Sequence, residues 1–134
     1  MSSTAQVGGD HYKAAVQHWD LMVKYDIEYL LGNASKYLVR WKKKGGIEDL
    51  KKALSYLDRW LEEKGRRVVC FVPLPELEEW MNSIDLGPTE QDVIERIHCY
   101  GHIPEAAELL RDFIYDNTPA DDHEWDAAAP KNTN

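Results

Sequence analysis

Two runs of apolar residues at helical spacing flank a glycine pair. Before Gly45-Gly46, Leu31, Ala34, Leu38 and Trp41 recur every three to four positions; after it, Ile47, Leu50, Ala53, Leu54, Leu57 and Leu61 do the same until Lys64-Gly65. That period places each set along one face of a helix. A basic last turn followed by glycine is a helix-ending signal. The spacing therefore predicts a helix over about 27–43, a turn, and a second helix to about 65. The product is an α-hairpin whose two stripes bury each other. A chain that commits this much of itself to paired helices is steered away from sheet-based folds.

The flanks continue in the same style. Trp19, Met22 and Val23 suggest a short helix with Asp20 in its first turn, ending near Asp26. Val68-Val69-Cys70-Phe71-Val72, followed by Pro73 and Pro75, reads as one extended segment, so at most one short strand is expected. Leu77, Trp80, Met81 and Ile84 predict a further helix. Thr89 with Asp92 resembles a capping box opening another that carries Val93, Ile94 and Ile97 and closes at Gly101. A last helix starts at Pro104 and buries Ala107, Leu110, Phe113 and Ile114. Trp19, Trp41, Trp60 and Trp80 fall mostly at apolar helical positions and read as core or interface residues. The fold class is mostly α, a small helical domain on a hairpin with a C-terminal helical extension.

Charge divides the 134 residues. The net charge is −8, yet residues 1–67 carry 13 Lys and Arg against 9 acids, while residues 68–134 carry 3 against 15. The chain accordingly divides into a flexible leader (1–9), a basic unit (10–67), an acidic helical extension (68–117) and a disordered acidic tail (118–134). Duplex DNA calls for a more strongly basic face, so a small phosphate-bearing ligand suits the basic half better. The acidic half could dock on a host protein. No apolar run is long enough to span a bilayer, and residues 1–9 lack the basic and apolar regions of a secretory leader. The expected location is the cytoplasm, with Cys70 and Cys99 as reduced, buried thiols.

The residues with chemistry to offer lie on the hairpin. Asn33, Lys36, Tyr37, Arg40 and Lys44 share a helix face opposite the apolar stripe. Arg offers a bidentate fork to phosphate and Lys a point charge. Gly45 and Gly46 can turn backbone N–H groups toward an anion at the start of the next helix. Asp49, Lys52 and Tyr56 run along that helix, and Asp49 could either hold Mg²⁺ or anchor the Lys and Arg side chains. A solvated basic face laced with ion pairs is the competing interpretation. Near the start, Gly8-Gly9-Asp10-His11-Tyr12-Lys13 lets the backbone approach a ligand while His11, Tyr12 and Lys13 bind a base, stack or move a proton. An ordered turn is the alternative. No segment has the Gly spacing and Gly-Lys-Ser/Thr of a Walker motif.

Other groupings are weaker. His98 and His102 flank Cys99, but no third metal ligand has suitable spacing. Glu76 with Glu79, and Glu105 with Glu108 and Asp112, could imitate the Mg²⁺ cluster of an all-α pyrophosphohydrolase, though solvated faces explain them better.

Four segments in order, Gly8-Gly9-Asp10-His11-Tyr12-Lys13, His18-Trp19-Asp20, Gly32-Asn33-Ala34-Ser35-Lys36-Tyr37-Leu38-Val39-Arg40 and Lys44 through Leu57, resemble a small phage-encoded domain of unknown function. That family includes a short podophage nucleotide kinase without a Walker motif, which phosphorylates dTMP and dGMP from a nucleoside triphosphate. The likeness spans roughly residues 7–64. His18 departs from the proline that often precedes Trp-Asp there, and residues 68–134 lie outside it. The resemblance implies a signature of His11, Tyr12, Lys13, Trp19, Asn33, Lys36, Tyr37, Arg40, Lys44, Gly46, Asp49, Lys52 and Tyr56. It further implies a nucleoside-monophosphate kinase in an infected host cell, using ATP or a dNTP as donor with Mg²⁺. In that scheme Lys36, Arg40 and Lys44 hold phosphates and Asn33 and Tyr37 orient the nucleotide. Asp49 binds Mg²⁺ or anchors a cation, and His11 or Tyr12 contacts the base or acceptor. Catalytic duty falls on Asp49, His11 and Arg40. Self-association is expected to complete the site. A phage protein that sequesters a nucleotide or cyclic nucleotide without turnover would use the same face.

Overall fold

The computed structural model describes residues 16–63 and 69–122. His11, Tyr12, Lys13, the 1–9 leader, the Lys64-Gly65 helix end and residues 123–134 lie outside them.

The apolar stripes bury as their spacing requires. Leu31, Ala34 and Leu38 of α2 (Tyr29–Arg40) and Leu50, Ala53 and Leu57 of α3 (Ile47–Glu62) are sealed from solvent and form the hairpin seam. Glu28 caps α2, its carboxylate accepting the Leu31 N–H at 2.9 Å. The helix stops at Arg40, three residues before the expected end. The N–H groups of Lys43 and Lys44 both turn back to the Arg40 carbonyl, and that of Gly46 reaches the Trp41 carbonyl at 2.7 Å. Gly46, at φ +62°, then serves as N-cap of α3, a backbone state that side chains resist.

Before the hairpin, α1 (His18–Lys24) buries Leu21. Trp19, read as a core or interface residue, and Val23, one of the apolar positions that suggested the helix, are 68% and 80% exposed. Seven residues admit more than one apolar face, and docking selects the one carrying Leu21, with the half-buried Met22 beside the core. The Lys24 amine and the Tyr25 hydroxyl both donate to Glu76, fastening the end of α1 to α4 (Leu74–Ser83).

The acidic half covers the hairpin. Leu77, Trp80 and Met81 of α4, Val93, Ile94 and Ile97 of α5 (Pro88–His98), and Ile103, Ala106, Ala107, Leu110 and Ile114 of α6 (Ile103–Asp116) join one buried cluster with the seam residues. Helix α6 packs on α3 and α5, and α5 also meets α2. The expected Thr89–Asp92 capping box does not form. Gly87 is the N-cap, and Asp92 pairs with Arg96 at 2.9 Å instead. Glu90 holds that corner: its buried carboxylate accepts the Trp41 indole N–H at 2.9 Å, and a Cβ at Gly87 would fall 2.5 Å from its Oε1.

Residues 69–73 are irregular, and the described residues contain no strand. The Val72 N–H bonds the His98 carbonyl at the end of α5, and its carbonyl accepts the Cys99 thiol. Order extends past Asn117. Buried Thr118 donates to the Ile114 carbonyl at 2.6 Å, and a 3₁₀ turn covers Ala120–Asp122. The tail expected from residue 118 is therefore structured at least through Asp122. Among the described residues no helix is long and apolar enough to cross a membrane.

Candidate functional site

Tyr37 and Tyr56, on facing helices of the hairpin, stack with ring centroids 5.9 Å apart and planes 10° apart. Three cations gather on the Tyr37 ring. The Arg40 guanidinium lies 5.1 Å from its centroid, and the Lys36 and Lys52 amines lie 5.4 Å from it. An electron-rich ring stabilises each cation, while the three positive charges repel one another, so an anion placed among them gains energy from all three.

The row extends one ring further. Tyr29, at the start of α2, meets Tyr56 edge-on at 6.3 Å and 78°, with 69% of its own surface exposed. Burial, and then the neighbouring Tyr29 and Tyr37, push the Tyr56 hydroxyl above its ordinary pKa and keep it neutral. Tyr29 escaped the sequence analysis, although it continues the Asn33–Tyr37 spacing one helical turn backward. Asn33 spends its side-chain N–H on the Tyr29 carbonyl at 2.9 Å. Lys44, placed on the same face by spacing, lies beyond the end of α2 in the exposed turn and makes no ring contact with Tyr37 among the described residues.

Arg40 is aimed by Asp49. Oδ2 of this buried carboxylate accepts the Arg40 Nε–H at 3.0 Å and the Gly45 N–H at 2.9 Å. Asp49 sits in the first turn of α3, where the helix dipole favours its charge. The Gly45 and Gly46 N–H groups, read as donors to phosphate, are thus engaged inside the turn. Of the two roles read for Asp49, the anchor is the one its contacts display: one oxygen is engaged by the Arg40 guanidinium and the Gly45 N–H, and the other is sealed from solvent.

A second polar arrangement lies under α2. The hydroxyl of buried Ser35 lies 3.2 Å from the Gly32 carbonyl and within hydrogen-bond distance, 2.8 Å, of Nε2 of both His18 and His98. Nδ1 of His98 is buried with no hydrogen-bond partner among the described residues. Burial first, then Lys36, pushes His18 down to about 4; burial first, then His18, pushes His98 down to about 3. Ser35 and His98 have no exposed surface, so this bridge joins helices and does not meet a ligand. Ser35 was hard to foresee because its two histidine partners, His18 and His98, come from distant segments of the sequence.

The remaining candidates do not assemble. His98 faces Ser35 while the His102 ring stacks on Tyr100, so the two do not converge. Burial, then Glu95 and Glu78, push the Cys99 thiol up to about 11, away from nucleophilic use. Glu76 is held by Tyr25 and Lys24, and Glu105 and Glu108 are exposed on the rim of a shallow hollow where Asp58 pairs with Arg111 at 3.3 Å.

Residues 7–58 match the model of DUF3310, a family described as a protein of unknown function. The matched stretch holds the whole Tyr29–Tyr56 face and ends before the acidic helices. No curated protein and no solved structure matches the chain.

Proposed function

We propose that the hairpin face binds a nucleotide, with phosphates among Lys36, Arg40 and Lys52, and that the protein is a phage nucleotide kinase-like phosphotransferase acting on a deoxynucleoside monophosphate of the dTMP or dGMP class. The observation that carries this reading is the convergence of three cations on the Tyr37 ring. Arg40, preset by Asp49, offers its terminal nitrogens to phosphate oxygens. The lysines neutralise developing charge, which is most of what phosphoryl transfer asks of a protein. Magnesium would come with the donor triphosphate.

The test is to incubate the protein with Mg²⁺, ATP and each deoxynucleoside monophosphate and to resolve the nucleotides by ion exchange. Diphosphate should appear, and Lys36→Ala or Arg40→Ala should reduce its rate at least about tenfold, the loss of roughly 1.4 kcal/mol of transition-state binding. Conversion of no monophosphate removes the kinase assignment.

One observation favours a second reading. Asp49, the acid nearest the cations in sequence, is engaged by Arg40 and Gly45 and is not left to take a proton from an acceptor. A protein that sequesters a nucleotide needs no such group. Stoichiometric retention of unchanged nucleotide, without a Mg²⁺ requirement, would select this reading.

A further inference from the structure

The cations explain how the face holds an anion, but not why the tyrosine row beside them ends in the exposed Tyr29. We infer that Tyr29 is the base platform of this site, and that the ligand is a nucleoside triphosphate lying along α2 with its base on Tyr29 and its outer phosphates among Lys36, Arg40 and Lys52. The inference rests on the nucleotide-binding reading above and names the ligand class and the residue that recognises its base.

Three observations support it. Tyr29 keeps 69% of its surface open although its edge packs on Tyr56, so the ring is oriented by a neighbour and free on the outside. Such a ring presents a π-face at low entropic cost, as stacking platforms for bases do. Next, Tyr29 and Tyr37 are eight residues apart on one helix, about 12 Å along its axis. An extended triphosphate bridges that interval between base and outer phosphates, whereas a monophosphate places its only phosphate well short of the cations. Finally, among the described residues three cations meet at one ring, Tyr37. A nucleic-acid strand calls for cations that track its backbone; a compact polyphosphate calls for a cluster.

The measurement is calorimetric titration of the intact protein with ATP and, separately, with inorganic tripolyphosphate. Tyr29→Ala should weaken ATP binding by about fivefold to a hundredfold, the range of one lost base stack, and leave tripolyphosphate binding unchanged. Tyr29→Phe should restore ATP affinity, and Lys36→Ala should weaken both ligands. Circular dichroism checks that the variants stay folded, as an exposed position allows. If wild-type protein binds ATP and Tyr29→Ala binds it equally well, the platform is wrong while the nucleotide site stands. The platform is also overturned if Tyr29→Ala loses both ligands, or if the wild type binds tripolyphosphate as tightly as ATP. Wild-type protein that binds neither overturns the nucleotide-binding reading as well.

Discussion

At Gly45 one hydrogen atom stands between the backbone and a buried carboxylate. A Cβ there would lie 2.3 Å from Asp49 Oδ1 and 2.4 Å from its Cγ, and the carboxylate cannot withdraw without releasing Arg40 and the Gly45 N–H. Gly46 is required for a different reason. Its added Cβ meets nothing within 4 Å, but its φ of +62° with ψ of −145° is a conformation left almost wholly to glycine. Both Gly45→Ala and Gly46→Ala should therefore destabilise the protein, by about 1–3 kcal/mol each in urea unfolding. A double-mutant cycle separates the causes. In an Asp49→Ala background the Gly45→Ala cost should largely vanish, a coupling of roughly 0.5 kcal/mol or more, while the Gly46→Ala cost should persist. Equal additivity for both would show that Asp49 does not set the Gly45 constraint.

Elements meet through the His18–Ser35–His98 bridge, which ties α1 and α5 to the middle of α2. Both imidazoles are held neutral, with folded pKa values near 4 and 3 against an ordinary 6.5. Between these limits the unfolded chain binds more protons than the folded one, so stability rises with pH there. The contribution is complete above about pH 6.5 and declines as the pH falls toward the folded values. Urea midpoints should drop steadily from pH 6.5 to 5, with unfolding taking up about two protons at the lower end. His98→Gln, which keeps an amide N–H for Ser35, should remove about half of that dependence; an unaltered slope would detach it from the bridge. Such a contact is poorly legible in sequence, since His18, Ser35 and His98 are linked only by tertiary docking. The hairpin was legible because its stripes are long: twelve and sixteen residues leave one consistent apolar face, whereas the seven of α1 did not fix which of its apolar residues would face the core. The same logic governs the candidate site. Lys36, Tyr37 and Arg40 share the face of α2 that their spacing implied, but their meeting with Lys52 and Tyr56 of α3 depends on helix packing that spacing does not encode. Lys44 fell past the helix end, and the Gly87 cap was hidden because Glu90 packs against it from a pairing with Trp41.

On the scale of the molecule, the basic and acidic halves are electrically distinct yet share one interior. Leu38, Leu57 and Trp60 belong to the hairpin, and they are buried in a cluster that also contains Val93, Ile97, Ala107 and Leu110 from the acidic helices. Ion pairs cross the same boundary, Lys24 to Glu76 at 2.9 Å and Arg111 to Asp58 at 3.3 Å, but exposed pairs of this kind add little. The apolar contact dominates, at about 25 cal/mol for each Å² removed from water. A hairpin stripped of α4–α6 would expose one side of its stripes and retain a core of the size at which short chains are marginal. A fragment ending at Glu63 should consequently show weakened helical circular dichroism and melt gradually, whereas the intact chain melts cooperatively. A sharp transition in the fragment, within a few degrees of the full-length midpoint, would instead establish that the cationic face stands on a self-sufficient unit and that the acidic helices serve another purpose.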